Sequence, residues 1–286
     1  MRLRIRKSLN RSVGGDICIS IIILLIGAVM VLPLIYTCVT AFKPMDELFI
    51  FPPRFFARNP TLSNFSSLFR VLSTTTVPFS RYIFNTVFIA VIGTVGHVIL
   101  STMCAYSFSK LPFPGRNAMF QSVVLSLMFC GPAGGIASFI IMAKLHLLNT
   151  YWAFILPAFA SPLGLYLMKQ FMDQMLNPTI IEAARIDGAN ELKIFNSMVL
   201  PSVKPAWLTL SIFSFQSLWG MGASSYIFSE KLKTINYAIG QVLASGVSRS
   251  GAAAASTLLL MAVPILFFVL TQSNVVETMA TSGMKD

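Results

Sequence analysis

The feature that most constrains this chain is a series of apolar runs, each long enough to approach the width of a lipid bilayer. A helix needs roughly 20 apolar residues to span a hydrocarbon core of about 30 Å. The runs lie at residues 17–42, 82–109, 118–143, 151–168, 206–228 and 252–271. Only 11% of the residues are charged, against about 25% in soluble domains. We therefore predict an all-α membrane protein with six transmembrane helices.

The distribution of positive charge predicts how these spans are oriented. Residues 1–16 form a tail that carries five lysine and arginine residues, and such residues next to a span are retained in the cytoplasm. Six spans return the tail at 277–286 to the same side. We expect an extracellular loop at 43–81 and a cytoplasmic loop at 169–205. Because the basic residues are scattered and form no stripe, the net charge of +11 does not indicate a nucleic-acid partner.

The sequence contains neither an energy source nor a catalytic motif of its own. It has no GxxxxGK[ST] phosphate loop, no HExxH and no GxSxG, which are motifs of nucleotide binding and hydrolysis. The one ionisable residue inside a span is His97, which we interpret as a packing residue rather than a proton relay. The four cysteines lack ligand spacing, so no metal site is expected. We expect no enzyme activity and no cofactor in this chain.

Uncharged polar side chains do occur within the predicted spans. Such groups either hold helices together or line a path for a neutral solute, and the sequence leaves both interpretations open. The candidates for a substrate pathway are Gln121, Ser214, Gln216 and Ser217. The glycine-rich segment 131–135 is expected to interrupt the third helix as either a gate or a kink.

The loop at 169–205 carries the signals of two short helices. Asn177 and Pro178 are a favourable helix start, and Gly188 can adopt the left-handed conformation that ends the helix 179–187. Asn190 can cap a second helix that runs to Ser197, before the prolines that follow. A hairpin with a slim apolar face fits a groove in a partner protein or lies on lipid.

This loop resembles the EAA motif of binding-protein-dependent ABC importer permeases. The matching residues are Glu-Ala-Ala-Arg-Ile-Asp-Gly at 182–188 and Leu-Pro at 200–201, with the spacing of the family pattern. The extension to Ala189 is similar to the carbohydrate-uptake branch, specifically its MalG-type subunit. The segment Phe-Pro-Gly-Arg-Asn at 113–117 also resembles that branch.

The resemblance implies a type I importer architecture, with a permease core at 82–276 in the cytoplasmic membrane of a bacterium or archaeon. A second six-span permease would complete a heterodimer, and two ATP-binding subunits would bind ATP and Mg²⁺ on the inside. A periplasmic or lipid-anchored solute-binding protein would deliver a sugar or oligosaccharide. The implied ATPase-coupling residues are Glu182, Ala183, Ala184, Arg185, Asp187, Gly188 and Ala189.

Two alternatives to this hypothesis remain. One is an ABC importer permease for a solute that is not a sugar, which the Asp-Gly-Ala ending at 187–189 disfavours. The other is a stand-alone facilitator or channel, in which the hairpin would anchor to lipid. The extracellular loop at 43–81 is either a plain connector or a docking surface.

Overall fold

Helices provide the regular secondary structure in the computed structural model, which describes residues 13–282 except 74–76, 129–130, 223, 245 and 247–248. No strand occurs in this described part of the chain, which agrees with the predicted all-α class. Residues 1–12, with the basic side chains used to orient the spans, lie outside the described residues, as do residues 283–286 of the C-terminal tail.

The helices are numbered in chain order. In the first half they are α1 (Val13–Ala41), α2 (Met45–Leu48), α3 (Ser63–Ser73), α4 (Phe79–Lys110), α5 (Arg116–Ser126), α6 (Gly131–Lys144) and α7 (Trp152–Phe159). In the second half they are α8 (Pro162–Met175), α9 (Pro178–Ile186), α10 (Glu191–Ile194), α11 (Leu200–Ser202), α12 (Lys204–Trp219), α13 (Ile235–Leu243) and α14 (Ser250–Ser282). A π-helical segment, Phe195–Val199, joins α10 to α11, and a 3₁₀ turn lies at Glu230–Leu232.

Among the described residues, four helical segments are long and apolar enough to cross a membrane. They are Gly14–Ala41, Phe79–Lys110, Trp152–Met175 and Ser250–Gln272. A fifth span results if Glu191–Ser202 and Lys204–Trp219, which meet at 79°, are counted together. The expected third span is divided into α5 and α6, and neither helix reaches the roughly 20 residues that a bilayer requires. The count of six spans therefore stays a prediction.

The structure corrects the position of the predicted break at 131–135. These residues lie inside α6, and the chain leaves α5 earlier, after Ser126. Pro132 is the second residue of α6, a place where the missing N–H of proline breaks no intrahelical hydrogen bond. The helix after Asn190 also continues past its expected end, through the π-helical segment and Pro201 to Ser202.

The chain divides into two units. The first comprises Met1–Arg70 and Ser245–Leu259, and the second comprises Val71–Ala244 and Leu260–Asp286. In the first unit the buried Asn64 amide donates hydrogen bonds to the carbonyls of Ala41 (3.0 Å) and Lys43 (2.7 Å). These bonds attach the start of α3 to the end of α1.

The second unit is organised around α4, which packs against α7, α8 and α12. Near one end of α4, the fully buried Asn85 amide donates to the carbonyls of Lys231 (2.9 Å) and Lys233 (2.8 Å). The Asn85 Oδ1 accepts a hydrogen bond from the Tyr151 hydroxyl at 2.8 Å. One side chain therefore attaches both α7 and the segment between α12 and α13 to α4.

Candidate functional site

The hairpin formed by α9 and α10 contains the motif residues, and its helix starts are capped as the sequence indicates. Asn177 Oδ1 accepts from the Thr179 N–H at 3.0 Å, and Asn190 Oδ1 accepts from the Lys193 N–H at 2.8 Å. Between the helices, Gly188 has a φ of +80°, a conformation that costs residues with a Cβ roughly 1–2 kcal/mol. A glycine is therefore favoured at this turn.

One side of the hairpin is buried in the second unit. Ile181 and Ala184 of α9 are 4% and 5% exposed, and Ile194 of α10 is 1% exposed. They belong to a hydrophobic cluster with residues of α4, α8 and α12, which include Tyr106, Met172 and Leu210. The hairpin is thus packed against three of the long helices of this unit.

The other side of the hairpin leaves large apolar side chains uncovered. Ile180, Ile186 and Leu192 are 55%, 86% and 63% exposed, and the exposed motif residues Glu182, Ala183, Asp187 and Gly188 lie among them. An exposed apolar surface that is rimmed by charged residues is typical of a protein or membrane interaction site. Small residues at positions 183 and 188 permit close approach of a partner backbone.

A hydrogen-bond chain connects the hairpin to α4. Arg185 Nε donates to Glu191 Oε1 at 2.8 Å, and the Tyr106 hydroxyl donates to Glu191 Oε2 at 2.6 Å. The hydrogen bond that Arg185 donates to the Glu191 carboxylate stabilises the charged guanidinium and raises the pKa of Arg185 above its usual value. Because both charged side chains are partly exposed, the ion pair itself adds little stability. Its geometric effect is to join the two hairpin helices to the membrane helix.

The four predicted pathway residues do not come together as a group. Ser214 and Ser217 line one cavity of about 400 Å³, whereas Gln121 and Gln216 are exposed and are not among its lining residues. His97 lines the same cavity, with Nδ1 3.1 Å from Ser214 Oγ. The sequence predicts a packing role for His97 and does not indicate this pairing, because the two residues are 117 positions apart.

The sequence does not single out two other residues of the hairpin site. Tyr106 and Glu191 complete the hydrogen-bond chain, but Tyr106 lies in an apolar run and Glu191 follows an ordinary capping residue. The available signal for Glu191 was its place in the first turn of a helix, directly after the capping residue Asn190, because an acidic side chain is favourable there.

The comparisons with known proteins agree on the kind of protein. No protein-family model matches the chain. It is 31% identical over 213 residues to YtcP of Bacillus subtilis, a polygalacturonan/rhamnogalacturonan transport system permease protein, covering 74% of this chain and 72% of YtcP. It is 31% identical over 200 residues to AraQ of Halalkalibacterium halodurans, an arabinooligosaccharides transport system permease protein, covering 68% of each.

A solved structure has the same fold. It is the crystal structure of a bacterial ABC transporter involved in the import of the acidic polysaccharide alginate. The match has a TM-score of 0.74 and 21% sequence identity, and it covers 93% of this chain and 99% of the matched chain. The fold, with its apolar spans and attached hairpin, defines a helical multi-pass membrane protein. With the sequence relatives above, the chain belongs to the family of ABC transporter permeases.

Proposed function

We propose that this chain is the permease subunit of an ATP-driven importer of a sugar or oligosaccharide, coupled to its ATPase through the α9–α10 hairpin. The relatives support a carbohydrate substrate, because YtcP, AraQ and the galactooligosaccharides permease GanQ of Bacillus subtilis are all named for one. GanQ matches over 91% of this chain at 25% identity.

The observation that carries the coupling role is the two-sided hairpin. Its exposed side offers Ile186 and Leu192 to a partner, while its buried side is attached to α4 through Glu191. A displacement of the exposed side is therefore transmitted to the membrane helix α4, which a flexible loop without these contacts would not do. Alternating access requires this kind of transmission, because the ATPase acts outside the bilayer.

The remaining parts of the importer follow from this role. Two ATP-binding subunits bind ATP and Mg²⁺ and receive the hairpin, with the contact at residues 182–189. A second six-span permease completes the heterodimer, and a solute-binding protein delivers the sugar from outside. In this proposal α5 and α6 form one span, both termini are cytoplasmic, and the 43–81 loop is extracellular.

Purification of the tagged chain in mild detergent, followed by mass spectrometry, tests the assembly. We expect a second permease and an ATP-binding subunit to co-purify. The complex is then reconstituted with its binding protein in proteoliposomes and tested for ATP-dependent uptake of radiolabelled galactobiose, arabinobiose and digalacturonate. A chain that purifies alone and passes these sugars without ATP would be a facilitator, and the proposal would be wrong.

A further inference from the structure

The transmembrane segment Trp152–Met175 is broken inside its length. Helix α7 ends at Phe159 and α8 begins at Pro162. At 1.5 Å per residue, this break lies about 12–15 Å along the segment from its start at Trp152. The first N–H groups of a helix have no intrahelical acceptor, and here they belong to Leu163 and Gly164 because proline has none. The capping residue Ser161 forms no side-chain capping bond. Among the described residues these donors have no acceptor within the helix, and they lie at a depth where lipid offers none.

A second polar group reaches the same break from α4. His97 is 5% exposed, and among the described residues its Nε2 is buried without a hydrogen-bond partner. A Cβ placed on Gly164 would lie 2.1 Å from this Nε2, so the imidazole meets the first turn of α8 only because residue 164 is a glycine. The other ring nitrogen is engaged with Ser214 Oγ at 3.1 Å, which fixes the orientation of the ring.

The break and the histidine line the 400 Å³ cavity that also contains Ser214 and Ser217. This volume is within the range of small-molecule sites, about 300–1,000 Å³. Phe213 and Leu163 contribute apolar surface to it, and none of its described lining residues carries a formal charge. A sugar suits this lining, because its C–H faces pack on apolar groups while each hydroxyl both donates and accepts hydrogen bonds.

We propose that the α7–α8 break, together with the His97–Ser214 pair, is a subsite for a hydroxyl group of a neutral sugar. The hydroxyl oxygen accepts from the free N–H groups of α8, whose helix dipole favours an electron-rich atom there. The hydroxyl O–H donates a hydrogen bond to His97 Nε2 once the sugar has displaced the groups that now bury this atom. The subsite gives this chain a direct share in substrate recognition, and it rests on the proposed role as a sugar permease.

The test compares uptake of galactobiose and arabinobiose, and of their single-deoxy analogues, by the reconstituted transporter. We expect His97→Leu, which keeps the bulk and removes the ring nitrogens, to raise KM for the natural sugar about five- to tenfold, as expected for one lost hydrogen bond. For one deoxy analogue, wild type and His97→Leu should have the same KM, because the partner hydroxyl is missing. His97→Gln should recover part of the affinity.

The matched control is Ser211→Ala, which lies three residues before Ser214 on α12. The Ser211 hydroxyl donates to the Trp207 carbonyl at 2.7 Å and is not part of the cavity lining, so its removal should leave KM unchanged. A purely structural role of His97 would lower the amount of transporter and the maximal rate, and would change KM for every analogue by the same factor.

The outcomes separate the two proposals. If wild type takes up a neutral sugar and His97→Leu leaves its KM unchanged, or shifts all analogues equally, the subsite is wrong and the permease role stands. If wild type transports digalacturonate and neither neutral sugar, the neutral-sugar subsite is also wrong. If wild type transports none of these sugars, the proposed substrate class fails, and the subsite fails with it.

Discussion

The Tyr106 hydroxyl donates a 2.6 Å hydrogen bond to Glu191 Oε2 and so joins α4 to the hairpin. The other oxygen of the same carboxylate accepts from Arg185 at 2.8 Å. A single side chain therefore holds both hairpin helices to the membrane helix. If the hairpin couples an ATPase to transport, this carboxylate is where the coupling is most easily weakened without unfolding the hairpin.

Replacement of Glu191 by alanine should uncouple ATP hydrolysis from uptake. We expect at least a threefold fall in sugar taken up per ATP hydrolysed, with a loss of about 1 kcal/mol in stability because the ion pair is partly exposed. Sugar uptake and ATP hydrolysis are both measured in proteoliposomes that contain the purified complex.

The control for that prediction is Lys193→Ala, a change in the same short helix at an exposed position. It should leave the ratio of uptake to hydrolysis at the wild-type value. An unchanged ratio in Glu191→Ala would show that the hairpin transmits motion without this link.

The same substitution at the adjacent Ala183 and Ala184 should affect two different properties, ATPase binding at position 183 and stability at position 184. Ala184 is 5% exposed within the hydrophobic cluster, so Ala184→Leu should destabilise the permease by about 1–3 kcal/mol through overpacking. Ala183 is exposed, so the melting temperature of the Ala183→Leu permease should equal that of wild type within experimental error. The same variant should retain several-fold less ATP-binding subunit in a pull-down. Equal retention by wild type and Ala183→Leu would place the ATPase contact elsewhere.

Two glycines with the same positive φ allow the hairpin turn to be tested specifically. Gly188 and Gly115 both have a φ of +80°, and a Cβ on either would meet nothing within 4 Å. Alanine at either position should therefore cost a similar 1–2 kcal/mol of backbone strain. Only Gly188→Ala should lower uptake beyond the loss of folded transporter, measured as initial rate per molecule in the membrane.

Asparagine at position 188 provides the complementary check on the turn. Asn tolerates the left-handed conformation better than alanine does, so Gly188→Asn should retain more uptake than Gly188→Ala. A reversed order would mean that close approach of a partner, rather than the backbone conformation, requires glycine at this position.

Asn85 should be a stability residue with no direct part in transport. Its fully buried amide satisfies the carbonyls of Lys231 and Lys233, and Asn85→Leu would leave both without this donor. We expect a loss of about 1–3 kcal/mol, measured as a lower melting temperature in detergent. Tyr151→Phe removes the hydrogen bond to Asn85 Oδ1 and the exposed one that the hydroxyl accepts from Arg81 at 3.1 Å, but it leaves both carbonyls paired with the Asn85 amide and should cost less. Equal stability of Asn85→Leu and wild type would contradict this assignment.

The hairpin was largely predictable because its signals are local. Asn177 and Asn190 cap the helices that follow them, and Gly188 forms the turn between them. Capping and turn geometry depend on a few neighbouring residues, so the order of residues is sufficient to predict them. The place of the break near residue 131 was wrong, because proline is compatible with the first turn of a helix as well as with its end.

By itself, the sequence determined that this chain is helical and apolar enough for a membrane, and that residues 177–190 form a capped hairpin. Hydrophobic run length and helix capping are properties of consecutive residues. Only the tertiary structure decided that Tyr106 and Glu191 meet, and that His97 pairs with Ser214 beside the broken span. The first contact joins two residues that are 85 positions apart in the sequence, and the second joins two that are 117 positions apart. Such contacts depend on how the helices pack, which no local pattern encodes.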